Sequence, residues 1–527
     1  MAEIELVLGL LVLVAALAVL ARRLAVVPYP IVLVLGGLLI GLVPGLPDVE
    51  LAPELVFLLF LPPLLYVAAF YSSIRDFRAH ARPILSLAVG LVLATTVVVA
   101  VVAHAAIPSI DWAIAFALGA IVSPPDAVAA TAIFQRLPVP RRVVTVLEGE
   151  SLLNDATGLV AYRVAVAAAV TGAFSAADTG AGFLAAGLGG VIIGLLVGWL
   201  VARLRRPLHD PPVEITVSLL TPFAAYLPAE ALGVSGVVAT VACGLYLGRR
   251  ASGLMNAQTR LQGRAVWETL VFLLNGLVFV LIGLQLPVIV ADLAGRPPLR
   301  VLALAVLVSA TVVLVRFAWV FGSDLPRLLR RPHRARLRSR REDVVVAWAG
   351  MRGVVSLAAA LALPFTTASG APFAERPLLI FLTLCVILVT LVGQGLTLPW
   401  LLHVLRLRSD DAHDHEEAHA RELAAEAATV RLEELAAEWP GHLPLINNLR
   451  AQYAHRVSHL ENPQHGLRDG HPSPAEQELI EHRLIRREVI DAERHAILDL
   501  RDRGEISDEV LRRVERDLDL EELRMEA

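Results

Sequence analysis

The sequence predicts an all-α membrane protein of thirteen transmembrane helices, arranged as two inverted six-helix repeats and followed by a helical cytoplasmic tail. Three observations carry that prediction. The 527 residues are 56% apolar and only 18% charged, against about 25% charged in an ordinary soluble protein, and mean hydropathy is +0.65. The apolar residues fall in successive runs long enough to cross a bilayer, roughly 20 residues each. Arginines alternate from loop to loop, and two of the runs are interrupted at their centres in corresponding places.

In chain order the spans are 4–21, 27–43, 53–71, 84–106, 112–135, 142–171, 181–203, 213–229, 233–248, 267–290, 299–322, 343–365 and 378–404. The first is read as a retained helix with its N-terminus outside. A cleaved signal needs basic residues before its apolar core, whereas here Glu3 and Glu5 come first and Arg22 and Arg23 follow. With that orientation the loops after spans 1, 3, 5, 7, 9 and 11, counted with the span ends, hold 2, 3, 3, 3, 4 and 8 Arg. The opposite loops hold only Arg296, Arg300 and Arg376. This is the asymmetry of the positive-inside rule, and a missed or invented span would scramble it.

Thirteen spans place the tail in the cytoplasm. Residues 1–404, the transmembrane domain, carry 29 Arg against 21 acids; residues 405–527, the cytoplasmic domain, carry 17 Arg against 29 acids. Every cation is Arg, with no Lys. Cys243 and Cys385 lie in separate apolar runs and read as small packing residues.

A charged side chain at the centre of a membrane helix costs roughly 2.5–3.5 kcal/mol on insertion scales, so three polar clusters call for a reason. In span 6 the stretch Gly149–Arg163, "GESLLNDATGLVAYR", sets Ser151 one turn before Asp155 and Glu150 one turn before Asn154. Carboxylate, hydroxyl and amide oxygens then share one depth, and hard cations prefer oxygen ligands. In span 5, Ser123, Pro124, Pro125 and Asp126 mark a break. Each proline removes a donor and clashes with the preceding turn, and Asp126 offsets the positive end of the second half-helix. In span 12, Gly350 and Gly353 flank Arg352 and permit close approach or local unwinding; Arg352 needs an acidic or carbonyl partner.

Spans 5 and 12 occupy equivalent places if spans 1–6 and 8–13 are two units, and an odd linking helix makes those units inverted. Paired interrupted helices are the sequence pointer to a transporter's ion site. The structural alternatives differ by residue. Glu150 with Arg352 reads as an ion pair, Asp126 as a helix-dipole partner, and Arg163 and Arg316 as contacts to carbonyls. His104 reads as incidental, and Glu148 and Glu268 stay undecided between interface and cavity. Asp155 is left without a cation of its own and so is read as binding a cation or a proton. The segment Asp410–His419, "DDAHDHEEAH", reads as a solvated linker before a metal site.

"GESLLND", "SPPDAVAA" and "WAGMRGVVSLAAALALP" resemble the signature segments of the monovalent cation:proton antiporter-1 family, the NhaP-like and NHE-like sodium/proton antiporters. The likeness spans roughly residues 4–404. The tail, through "LRDRGEISDEVLRRVERDLDLEELR", resembles a bacterial subgroup.

The resemblance implies Asp155 as the ion- and proton-binding acid and Asn154 as its partner in an Asn-Asp pair associated with electroneutral exchange. It implies Ser151 as a hydroxyl ligand and Glu150 with Arg352 as an ion pair. It also implies crossing broken helices 5 and 12, a core that moves against a dimerising scaffold, and hence a homodimer in the cell membrane. The chain departs from the family pattern twice. Pro125-Asp126-Ala127 stands where many members have Thr-Asp-Pro, and Val67 stands where many have an acid after "LPPLL".

The expected activity is exchange of Na⁺ for H⁺, with Li⁺ and K⁺ as further candidates and a potassium/proton antiporter as the rival on the same fold. A cation channel uses repeated filter sequences, of which none is present. An intramembrane hydrolase with Asp126 and Asp155 as a dyad is disfavoured because each acid has a better explanation. No enzyme activity, cofactor or nucleic-acid partner is expected. In the tail, one helix is expected from Asp414 to Glu438, stopping at Trp439-Pro440-Gly441. A second should start at Ser473 with Pro474 and a capping Glu476, and a third runs from Ser507 to Arg524. The tail is expected to regulate transport or support a dimer.

Overall fold

The computed structural model describes residues 2–460 apart from 24–26, 44–55, 135–136, 138, 173–175, 209, 294, 329–332, 369, 371, 374 and 408–410, together with scattered positions between 490 and 520. The chain divides into two compact units, Met1–Ser409 and Asp410–Ala527. The named elements among the described residues are all helical, with one isolated bridge between Thr366 and Pro372.

The first unit begins with α1 (Ala2–Arg23), α2 (Tyr29–Gly41) and α3 (Leu61–Tyr71), the last entered through a π-helical turn, Val56–Phe60. Then come α4 (Ile74–Ala79), α5 (Ala81–Leu85), a π-helical turn at Ser86–Leu91 and α6 (Val92–Ala106). The first interrupted pair is α7 (Trp112–Val122) and α8 (Val128–Phe134). Five long helices follow, α9 (Arg141–Thr171), α10 (Ala176–Arg205), α11 (Pro211–Ala231), α12 (Gly236–Leu254) and α13 (Ala257–Ala291), and then α14 (Pro298–Leu328). The second interrupted pair is α15 (His333–Trp348) and α16 (Val354–Leu361). Last are α17 (Arg376–Leu388), a π-helical turn at Val389–Gln394 and α18 (Gly395–Leu405).

Each of the thirteen apolar runs falls on one of these helices, or on a helix pair where the run is interrupted. Six described helices are long and apolar enough to cross a membrane: those containing Glu5–Arg23, Ala81–Ala106, Leu184–Arg205, Gln258–Ala291, Pro298–Gly322 and Arg376–Leu405. The shorter apolar helices include Tyr29–Gly41 and Trp112–Val122.

Between membrane helices the lipid is as apolar as Leu, so close packing of small residues holds the bundle together. α16 shows it: Ala358, Ala359 and Ala360 are all buried. Around it lies one continuous core that includes Val99 of α6, Leu118 of α7, Leu147 of α9, Val345 of α15 and Leu382 of α17. A separate apolar cluster joins Leu65 and Ala69 of α3 to Leu152 and Ala156 of α9 and Val237 and Val241 of α12. That second cluster lies on the helix that carries Asp155.

In the second unit α19 (Asp411–Glu438) leads through a 3₁₀ turn at Pro440–His442 to α20 (Leu443–Leu460). Pro440 lacks the donor that would continue α19, which explains the stop. The side chains of 411–422 lie outside the described residues, as do Ser473, Ser507 and most of the two helices expected to start there; positions 514, 518 and 520 of the second are described and are helical.

Candidate functional site

The two interruptions meet. α7 ends at Val122 and α8 starts at Val128, leaving Ser123–Ala127 outside both helices, while α15 ends at Trp348 and α16 starts at Val354, leaving Ala349–Gly353. The Asp126 N–H donates to the Met351 carbonyl at 2.6 Å, and the Arg352 Nε donates to the Val122 carbonyl at 3.2 Å. Each break thus satisfies backbone groups that the other has freed, which a membrane interior demands.

Asp126 accepts from the Val128 N–H at 2.8 Å through Oδ1, closing the first turn of α8. Its other oxygen lies against the Gly353 Cα; a β-carbon at 353 would come within 1.9 Å of it. Gly353 is therefore glycine so that the acid of one break can lie over the backbone of the other. Ser123 Oγ donates to the Ala120 carbonyl at 3.1 Å and accepts from Thr96 at 3.3 Å, ending α7 on a side chain. Pro124 packs on α9 at Gly158, where a β-carbon would lie 2.3 Å from the ring.

α9 brings the remaining oxygens to this crossing. Asn154 is fully buried; its Nδ2 donates to the Pro125 carbonyl at 2.5 Å, and its Oδ1 has no hydrogen-bond partner among the described residues. Ser151 Oγ accepts from the Ala127 N–H at 3.4 Å. Asp155 is 9% exposed. No hydrogen bond or ion pair joins it to a described residue, and the charge it faces is that of Asp126. The structure thus brings together Ser123, Pro124, Pro125, Asp126, Gly350, Arg352 and Gly353 at the crossing, with Ser151, Asn154 and Asp155 beside them.

The expected ion pair between Glu150 and Arg352 is replaced by another. Glu150 is held by Arg316 of α14, whose Nη1 and Nη2 donate to its two carboxylate oxygens at 2.6 and 2.8 Å. Arg352 turns instead to carbonyls, those of Val122 and Gly350. The physical reason is clearance. Gly350 has no β-carbon, and one placed there would come 2.4 Å from the Arg316 Cδ, so the glycine opens the path along which Arg316 reaches α9. Arg316, read from sequence as a carbonyl contact, does bind the Val346 carbonyl at 3.1 Å but also takes the carboxylate. Arg163 pairs with Glu230 at 2.7 Å instead of with carbonyls.

Sequence reasoning also missed Thr390, whose hydroxyl accepts from the Arg352 N–H at 3.1 Å and so fixes the backbone of the second break. Its only signal was a hydroxyl in the middle of an apolar run. His104 stacks on Trp112 with ring centroids 4.2 Å apart and bonds the Ile110 carbonyl.

Chemically, the place offers two carboxylates with no cation among the described residues, of which Asp126 is tied to the Val128 N–H and Asp155 to no described group, with a hydroxyl, an unpartnered amide oxygen and the carbonyls of a broken helix. It is a set for a hard monovalent cation or a proton. The sodium/hydrogen exchanger transmembrane family matches residues 9–404. A Mycobacterium bovis protein named an Na⁺/H⁺ exchanger is 41% identical over 99% of this chain and 97% of its own length. The sodium, potassium, lithium and rubidium/H⁺ antiporter of Bacillus subtilis is 33% identical over 95% of this chain and 75% of its own. The fold matches that of the sodium proton antiporter of Methanocaldococcus jannaschii, with a TM-score of 0.60, 20% identity, and coverage of 77% of this chain and 98% of that one. On the family match, the identity and the motifs together, the chain is a membrane protein that belongs to the sodium/hydrogen exchanger family.

Proposed function

We propose that this chain exchanges Na⁺ for H⁺ across the cell membrane, one for one, by alternating access. The observation that carries the reading is Asp155: a buried carboxylate at the crossing of two broken helices, to which no described residue supplies a cation or a hydrogen bond. The two nearby arginines are already engaged, Arg316 with Glu150 and Arg352 with carbonyls. A carboxylate so placed is neutralised by a cation or by a proton, and the two compete for the same oxygens.

In the cycle, ionised Asp155 takes a partly dehydrated Na⁺. Ser151 Oγ, the open Oδ1 of Asn154 and freed backbone carbonyls replace the water the ion has shed. A proton arriving on Asp155 releases the ion. Glu150 is held by Arg316 and Asp126 by the first turn of α8, so neither is the acid this cycle assigns to the ion. With a single exchanging carboxylate, one charge moves in each direction and none is left over. The core that holds the crossing then moves against the remaining helices and opens the site to the other side. The reading includes thirteen spans in two inverted repeats, an outside N-terminus, residues 405–527 in the cytoplasm, and a homodimer.

The test is proton flux in proteoliposomes on addition of Na⁺, with and without a valinomycin clamp. Wild type should acidify or alkalinise the lumen equally in both conditions, and Asp155→Asn should do neither while eluting as a folded protein. Normal exchange by Asp155→Asn would remove the assignment. A second reading, transport of K⁺ and Li⁺ as well, is favoured by the name of the Bacillus subtilis relative, a sodium, potassium, lithium and rubidium/H⁺ antiporter, and by Val67 in place of an acid. The same assay with KCl and LiCl, without valinomycin, decides it.

A further inference from the structure

A cavity of about 660 Å³ opens beside α9, lined among others by Phe77 of α4, Leu153 of α9, Leu195 of α10 and Leu245 of α12, with Arg249 and Arg250 at its rim. Its size falls within the roughly 300–1,000 Å³ of small-molecule sites. We propose that it binds an anionic phospholipid, one acyl chain in the cavity and the phosphodiester on Arg249 and Arg250.

The packing leaves the space open to the bilayer. α10 uses its glycine face on α12: a β-carbon at Gly194 would come 2.2 Å from the Ala239 carbonyl, and one at Gly190 within 2.6 Å of the Ser235 carbonyl. That close approach commits α10, and the neighbouring Val191 and Leu195 are left to line the cavity while staying 38% and 43% exposed. Next to them on the same helix, Leu188, Ile192 and Leu196 are more exposed still. The wall is mostly aliphatic, with Phe77 and the Tyr246 ring added, so it suits a hydrocarbon chain and not a hydrated ion.

The rim supplies the complementary charge. Arg249 and Arg250 are both exposed. Arg250 lies over the Tyr246 ring, 4.4 Å from its centroid, and bonds its hydroxyl; this holds the guanidinium at the cavity mouth and leaves its other donors free. No ion pair or hydrogen bond joins Arg249 to a described residue. Two adjacent guanidiniums without a carboxylate, above an apolar slot between membrane helices, form the kind of basic pocket that takes an anionic lipid headgroup.

Leu153 stands two residues before Asp155, so a chain in the cavity touches the helix that carries the exchanging carboxylate. A filled cavity then slows or speeds the movement of α9 past α10 and α12; this second step rests on the exchange reading, whereas binding does not.

The experiment measures binding first. Purified full-length protein in detergent is titrated with phosphatidylglycerol or phosphatidylcholine and followed by native mass spectrometry and thermal melting. Wild type should show a phosphatidylglycerol adduct and a melting shift that phosphatidylcholine does not give. Arg249→Ala/Arg250→Ala should weaken the adduct at least tenfold, and Leu195→Trp, which fills the cavity from its lipid side, should remove the shift. Equal shifts with the two lipids, or retention of the phosphatidylglycerol shift in either variant, would overturn the proposal. So would efficient disulfide formation between two Leu195→Cys protomers in the membrane, since a second copy would then cover the site. Exchange measured in liposomes with and without phosphatidylglycerol tests the second step alone: a rate independent of lipid removes the coupling and leaves the binding result standing.

Discussion

Arg316 and Glu150, 166 residues apart in sequence, form a bidentate pair with both side chains 1% exposed. The pair ties α14 to the helix that bears Asp155, and Gly350 in the second break leaves room for the crossing side chain. It also bears on why Asp155 stays free: of the described arginines buried around the crossing, Arg316 is bound to Glu150 and Arg352 to carbonyls.

Removing one member of this pair should destabilise the protein by about 3–5 kcal/mol, because the other charge is then buried without compensation. Glu150→Gln and Arg316→Met are each expected to lower the melting temperature strongly. The double variant should melt above at least one of the singles, since it leaves no unpaired charge. Fluorescence-detected melting of the three variants checks this; additive losses in the double variant would mean that the pair acts through packing alone.

Gly353→Ala should disrupt the crossing itself. The added methyl would sit on the Asp126 carboxylate, which cannot retreat without losing its bond to the Val128 N–H. Transport should fall to background and the melting temperature should drop. Asp126→Ala in the same chain removes the two nearest colliding atoms and leaves only the Cβ, 2.8 Å away, so the Gly353→Ala/Asp126→Ala protein should melt higher than Gly353→Ala.

The outer ion pair of Arg163 with Glu230 should behave asymmetrically. The arginine is half exposed, and such a pair contributes about 0–1 kcal/mol, so Arg163→Ala should melt close to wild type. Glu230 does more: its Oε1 accepts from the Gly236 N–H at 3.0 Å, at the start of α12. Glu230→Ala loses that charge-assisted hydrogen bond, worth roughly 1.5–3 kcal/mol, and should melt lower than Arg163→Ala. Equal melting of the two would assign the loss to the ion pair.

The positions of the apolar helices were legible because bilayer thickness turns composition into length. The two breaks were legible for a local reason as well, since Pro124-Pro125 and the Gly350/Gly353 flank act on their own backbone. The partner of Glu150 was not. Arg316 and Arg352 both sit mid-run, and choosing between them depends on which side chain finds a clear path across the bundle, a property of three helices at once. The π-helical turns at Ser86–Leu91 and Val389–Gln394 carry no composition signal either, and with the second of them went the role of Thr390.

If protons and Na⁺ share Asp155, acidity should act on affinity and not on turnover. Protonation removes the charge that holds the ion, so the protonated site counts as absent to Na⁺ and is recovered by mass action when Na⁺ is raised. Below the pKa of the folded site, the apparent KM for Na⁺ should therefore rise by about tenfold for each unit that pH falls, and the maximal rate should stay the same. Above that pKa the site is already ionised and KM should level off. Initial rates over a matrix of Na⁺ concentrations and external pH, with the lumen held below that pKa so that the return step is not short of protons, give both parameters. A KM that stays flat while the maximal rate collapses would place the controlling proton on some group other than Asp155. Ser151→Ala is the matching control: it deletes one neutral oxygen, so KM should rise by a similar factor at every pH while the pH at which KM levels off stays where it is in wild type.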